Sequence, residues 1–141
     1  MGLDNSIRLR VNSLIDQEDW EIWPDYITVE RNEFAEKEYK DGFYYDVCCW
    51  RKCWCLRDDI LNELNIKNSP GGRFEIDKPR QIRNIINLVE FYLENPEEWR
   101  QSIWDISEMI PHLGQNVVDL SWLADFMEKN MSAYVEFVDS Y

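Results

Sequence analysis

Four cysteines fall within eight residues, Cys48, Cys49, Cys53 and Cys55, in the pattern Cys-Cys-x3-Cys-x-Cys. Thiols this close together raise two chemistries, metal binding and disulfide formation. Structural zinc sites take cysteines two to four residues apart, with a second pair farther along the chain. Here a strand sends Cys48 and Cys49 to opposite faces, and a helix sets Cys53 and Cys55 roughly 200° apart. The spacing therefore predicts no metal site and no resident cofactor. The thiols are expected to be reduced and to pack as small hydrophobes.

The second group with chemical potential is Trp50-Arg51-Lys52, set among the cysteines. A pair of solvated charges, or Arg51 bridged to Asp46, is the plain arrangement. An anion site at a helix N-terminus is the alternative, because free backbone N–H groups and the helix dipole favour negative charge there. No glycine-rich loop precedes the pair, so a phosphate cradle of the P-loop kind is not indicated. Asp4, Asp46, Trp50, Arg51 and Lys52 together make up the candidate binding site, at a strand-to-helix junction. His112 is the only histidine, which rules out a metal cluster built on several imidazoles. No spacing ties a nucleophile to a base, so no catalytic residue is assigned.

The elements that must position these residues follow from periodicity. Phe43, Tyr45, Val47 and Cys49 alternate with Tyr44, Asp46, Cys48 and Trp50, the period of a strand. Bulk on both parities predicts a central strand covered on both faces. From Trp50 the period changes. Cys53, Trp54, Leu56, Ile60, Leu61 and Leu64 recur at helical steps, so a helix is expected to about Asn65. Asn68-Ser69-Pro70-Gly71-Gly72 ends that unit.

Ser6–Val11 reads as a half-buried strand with Ile7, Leu9 and Val11 inward. Asn12–Asp25 reads as a loop, Tyr26–Arg31 as a strand, and Asn32–Asp41 as a short charged helix or hairpin arm. Gly72–Ile76 and Ser132–Tyr141 read as further strands, the last paired with the first. A helix is expected from Asp77 or Lys78, with Pro79 in its first turn and Ile82, Ile85, Ile86, Val89, Tyr92 and Leu93 on its apolar face. Asn95-Pro96-Glu97-Glu98 has the composition of a capping box. It predicts a helix carrying Trp99, Ile103, Ile106, Met109 and Ile110 as far as Pro111. His112-Leu113-Gly114 reads as a break before a last helix, about Asn116 to Lys129. The expected fold is a single α+β domain over residues 1–141, an antiparallel sheet of four or five strands packed with about four helices.

The motif Met1-Gly2-Leu3-Asp4, followed by an aromatic strand leading into Trp50-Arg51-Lys52 and an apolar helix, resembles a family of small phage and prophage proteins. Those typically open Met-Gly-Leu-Asp and carry a Tyr-Trp-Arg-Lys-Ala-type motif before a helix. The resemblance covers about a third of the chain: its first residues, roughly 43–64, and loosely the aromatic C-terminal strand. Cys49 stands where the family tends to have Tyr and Cys53 where it tends to have Ala, and the family's helix histidine is missing. The resemblance implies a compact α+β fold without an established activity.

At 141 residues, with 45% hydrophobic and 14% aromatic residues, the chain can bury a core. No apolar run reaches the roughly 18–20 residues of a membrane span, and Met1–Val11 lacks the apolar region of a signal peptide. Together with free cysteines, this predicts a cytoplasmic protein.

The net charge is −13, from 15 Lys and Arg against 28 Asp and Glu. It is uneven: −6 over residues 1–43, +2 over 44–83 and −9 over 84–141. Residues 44–83 are also expected to be mostly buried, so direct nucleic-acid binding is not expected. A protein partner with a basic face is.

The expected function is therefore that of a non-enzymatic, acidic, phage-type accessory protein. It would bind a host factor or defence component, in a sharper form as a nucleic-acid mimic. Trp20 and Trp23 are either core cover or a partner patch. The alternative is a small-ligand-binding protein or enzyme with its pocket around Trp50-Arg51-Lys52.

Overall fold

The computed structural model describes residues 4–11, 28–31, 43–99, 105–129 and 134–140. Strands β1 (Asp4–Val11), β2 (Thr28–Arg31), β3 (Phe43–Arg51), β4 (Gly72–Ile76) and β5 (Tyr134–Ser140) form one sheet in the order β2-β3-β1-β5-β4. Every neighbouring pair is antiparallel. The helices are α1 (Trp54–Glu63), α2 (Pro79–Glu94) and α3 (Ile106–Lys129), with a 3₁₀ turn at Pro96–Glu98. The α+β class and the pairing of the last strand with the first are as expected, with three α-helices among the described residues. Trp20, Trp23 and the charged arm at 32–41 lie outside them. No helix among the described residues is long and apolar enough to cross a membrane.

The middle strand is β1, with β3 and β5 on either side. Ile7 and Leu9 are fully buried, and they meet Cys48, Trp50, Val135, Phe137 and Ile76 in the core under the helices. From the helices come Leu56 and Ile60 of α1, Ile82, Ile85 and Val89 of α2, and Leu113, Leu120 and Leu123 of α3. The three- and four-residue spacing of these side chains is what makes each helix one-faced.

Two expectations about β3 are corrected. The pairing with β1 jumps from Ile7↔Cys48 to Arg8↔Asp46, leaving Val47 as the extra residue of a bulge. A bulge shifts the alternation by one. Cys48 and Trp50, opposite Ile7 and Asn5, therefore point to the helices, while Cys49, opposite Ser6, lies on the other face and is exposed. The strand is thus not covered on both faces along its whole length. Its plain alternation in the sequence hid the bulge.

The helix boundaries after residue 94 are also corrected. Asn95 does not start a helix. Its Nδ2 and its backbone N–H both donate to the Phe91 carbonyl, at 2.9 and 2.8 Å, so it closes the end of α2. Pro96 opens only the 3₁₀ turn. The start of α3 is set by Asp105, whose carboxylate accepts from the Glu108 backbone N–H (3.0 Å) and the Ser107 hydroxyl (2.6 Å). Those bonds, the Ser107 hydroxyl first, hold the Asp105 carboxyl below its ordinary range. The expected break at Pro111–Gly114 is absent, and α3 runs through both residues. Pro111 is the sixth residue of the helix and removes one backbone donor there. Apolar contacts before and after it, at Met109 and Leu113, both fully buried, hold the helix together.

Candidate functional site

The junction expected at Trp50–Lys52 is present and sharp. Lys52 takes a left-handed backbone conformation (φ 53°), and Cys53 then precedes the first turn of α1. The Cys53 thiol donates to the Arg51 carbonyl at 3.3 Å. Trp50 is buried, and its indole N–H donates to Asn116 Oδ1 at 2.9 Å. This bond ties β3 to α3 and gives the one polar atom of a large buried ring its partner.

Around that bond lies a polar wall that the sequence did not signal. Asn116 and Asp119 of α3 are 3% and 6% exposed, and Gln115 Nε2 donates to Asp119 at 3.0 Å. Cys48 faces them. Burial first, then the Asp119 carboxylate, pushes its thiol well above the ordinary range, against a hydrogen bond with Asn116. Cys48 is therefore kept as a neutral thiol, in keeping with a packing role. One helical turn earlier, His112 Nε2 lies 2.9 Å from the Cys49 carbonyl. His112 thus belongs to the body of a helix facing β3, not to a loop.

The strongest polar cluster holds α1 to the end of the sheet. Arg57 donates to both oxygens of Asp139, Nε to Oδ1 and a terminal nitrogen to Oδ2, each at 2.9 Å. Asn5 Nδ2 donates to the same carboxylate at 2.8 Å, and the Ser69 hydroxyl at 2.7 Å. The Ser69 oxygen in turn accepts from the Gly71 N–H at 3.1 Å. The Asp139 side chain is 0% exposed and that of Arg57 10%. Burial pushes the Asp139 carboxyl up, but hydrogen bonds from Arg57, Ser69 and Asn5 outweigh it and hold it below the ordinary carboxylate range. Asp139 correspondingly raises Arg57. The pair is thus charged, with its carboxylate oxygens fully used.

The face of the sheet turned away from the helices carries most of the candidate site; it is exposed at Asp4, Cys49, Arg51 and Ser140 and buried at Ser6, Glu136 and Val138. Antiparallel register sets its side chains in transverse rows: Arg51, Asp4 and Ser140; then Cys49, Ser6 and Val138; then Asp46, Arg8 and Glu136. Arg8 Nε donates to Asp46 at 2.7 Å, with side chains 21% and 15% exposed. Arg51 stands 3.8 Å from Asp4, at 64% and 61% exposure. Of the arrangements open to Arg51, the bridge to Asp46 does not form: Asp46 is taken by Arg8, and Arg51 stands solvated beside Asp4. A cleft of about 360 Å³ opens over this region, lined by Asp4, Asn5, Ser6, Arg8, Asp46, Cys49, Trp50, Arg51, His112 and Ser140. Asp4, Asp46, Trp50 and Arg51, far apart in sequence, come together there. Lys52 is exposed and does not line it. Arg8, Ser6 and His112 were missed. Arg8 and Ser6 read as the ordinary outward side of a strand, and His112 reads as part of a break.

None of the four cysteines is in a disulfide; Cys48 and Cys53 are buried, Cys55 is half-buried and Cys49 is exposed. Among the described residues no group of three or more His, Cys, Asp or Glu is placed to hold a metal ion.

The expectation that residues 44–83 bury their positive charge is overturned. Of their eight bases only Arg57 is buried; Arg51, Lys52, Lys67, Arg73, Lys78, Arg80 and Arg83 are exposed. Long cationic side chains keep their heads in water while their stems cover apolar surface.

No family model, curated protein or solved structure matches this chain.

Proposed function

We propose that this chain is a non-enzymatic accessory protein that acts by binding another protein through an acidic helical face. One observation carries the reading. Between Arg83 and Lys129 the chain has a single base, Arg100, while Glu90, Glu94, Glu97, Glu98, Asp105 and Glu108 are all exposed. Four large apolar side chains are exposed in the same segment, Val118 at 53% and, nearer these carboxylates in sequence, Phe91 at 47%, Ile106 at 48% and Ile110 at 43%.

Scattered surface apolar residues mean little, but apolar residues rimmed by charge of one sign are what a partner surface requires. Arg83 of α2 reaches Asp125 and Glu128 of α3 at 2.9 and 2.8 Å. The two helices therefore run antiparallel, and the end of α2 that carries Phe91 and Glu94 lies toward the start of α3. The complement is a protein segment with basic and apolar residues. In the finer form of this reading, suggested by the resemblance to small phage proteins, the partner is a host factor or defence component that binds nucleic acid. The carboxylates would then stand where phosphates would.

The test is capture of partners on the immobilised chain at low and high salt, beside the triple variant Phe91→Ser, Ile106→Ser, Ile110→Ser. The expected result is a partner lost both on substitution and at high salt, because exposed charges are screened within about 8–10 Å at physiological ionic strength. A partner retained by the variant and indifferent to salt would overturn the reading.

A further inference from the structure

The cleft at the Asp4–Arg51 end of the sheet is a different site from the acidic helical face, and what it offers does not depend on that reading. It is a balanced site in an unbalanced protein. Its charged lining is Asp4 and Asp46 against Arg8 and Arg51, within a chain of net charge −13. A simple anion is repelled by the field of the whole protein. A simple cation meets two guanidinium groups in the cleft. A small molecule carrying both charges gains from both signs of the lining.

The two ion pairs play different parts. Arg8 and Asp46 are locked at 2.7 Å and mostly buried, forming the inner end. Arg51 and Asp4 are 3.8 Å apart and mostly exposed. Such a pair holds itself together weakly, so each member is free to turn to a ligand charge. Between the ends, along about 13 Å of strand from Asp4 to Arg8, lie neutral hydrogen-bonding groups. Ser6 is only 6% exposed and lines the cleft. Beside it Asn5 Oδ1, in the same lining, is buried without a hydrogen-bond partner among the described residues. A buried acceptor left without a partner costs free energy unless something from outside supplies a donor. Cys49, the exposed thiol, faces the same space.

We propose that this cleft binds a small zwitterion of amino-acid size, its carboxylate on Arg51, its ammonium on Asp4, and its remaining polar atoms over Ser6 and Ser140. A carboxylate–guanidinium contact is a charge-assisted hydrogen bond, among the stronger polar contacts a protein makes. The adjacent Asp4 then selects against carboxylates that lack the amine.

Cys49 provides the reporter. The full chain is treated with iodoacetamide and alkylation at each cysteine is followed by mass spectrometry, with and without each free amino acid other than cysteine, whose own thiol would consume the reagent. Acetate and methylammonium serve as single-charge controls, and binding is measured in parallel by titration calorimetry. At least one amino acid is expected to slow Cys49 alkylation several-fold with a dissociation constant below about 1 mM, and both controls to leave it unchanged. Arg51→Gln and Asp4→Asn are each expected to weaken that binding about tenfold, the size of one charge-assisted contact, without lowering the melting temperature. Three results would overturn the proposal: no protection and no heat from any amino acid up to about 10 mM, equal protection by acetate alone, or binding untouched by both substitutions.

Discussion

Two arginine–aspartate pairs sit at the same end of the sheet, on opposite faces. Arg57, on α1, reaches Asp139 on the helix side; Arg51 and Asp4 lie on the face turned away from the helices. The two acids belong to adjacent strands, and Asp4 pairs in register with Ser140, the residue after Asp139. The charges are the same and the surroundings differ. Asp139 is inaccessible and accepts from Arg57, Asn5 and Ser69, whereas Asp4 is 61% exposed and its arginine is 3.8 Å away. Inside, each charge has given up water and depends on the fixed geometry of its partner. Outside, water still solvates both, and the pair is nearly dispensable to the fold. A charge that the fold does not consume remains available for recognition.

The largest effect that tests this contrast is removal of one member of the inner pair. Arg57→Ala leaves a carboxylate buried with only Asn5 and Ser69 to compensate it. Breaking a buried pair from one side costs about 3–5 kcal/mol, out of the roughly 5–15 kcal/mol that hold a domain together. Urea unfolding followed by far-ultraviolet dichroism is expected to show that loss for Arg57→Ala and also for Asp139→Ala. A loss below about 1 kcal/mol would mean that the pair is solvated in solution, and the contrast would collapse.

The next effect is on pH dependence. The carboxyl of Asp139 is held below its ordinary range in the folded chain, while in the unfolded chain it titrates near pH 4. The unfolded state therefore takes up the proton first as pH falls. The stabilisation is fully present above about pH 4 and is lost as pH drops through the depressed folded value. Urea midpoints measured from pH 7 down to about 2.5 are expected to fall steeply on that acid limb, and Asp139→Asn is expected to flatten it. An acid limb unchanged by the substitution would place the titrating group elsewhere.

This contrast also marks what the sequence made legible. The strands at 4–11, 43–51, 72–76 and 134–140 and the helix under Arg57 follow from periodicities of two and 3.6, and they survive in the fold. The gathering of Asp4, Asp46, Trp50 and Arg51 was partly readable, because a strand running into a helix places its last residues at the sheet's end. The bulge at Val47 was not readable, since it is a property of the pairing between two strands. Asn95 had the composition of a helix start but closes the previous helix, because its donors meet the Phe91 carbonyl. Asp105, with Glu108 three residues on, carried a valid start signal that was overlooked beside Pro96. The Arg57–Asp139 pair joins positions 82 residues apart. Arg57 falls on the inner stripe of α1, where a charge reads as a misplaced surface residue until its partner is known.

The smallest expected effect is the most discriminating. Asp4→Asn and Arg51→Gln remove charges that the fold holds loosely, so each is expected to shift stability by no more than about 0.5 kcal/mol. A double-mutant cycle on the pair is expected to give a coupling of similar size, fading as salt is raised because both groups lie in water and are screened. The inner pair treated the same way is expected to keep most of its coupling in high salt, since buried charges are screened far less. Arg8 and Asp46, close together but 21% and 15% exposed, are expected to fall between the two. A salt-resistant coupling above about 1 kcal/mol for Arg51 and Asp4 would show that the outer pair is already committed to the fold. The rim of the cleft would then have no free charge to offer a ligand.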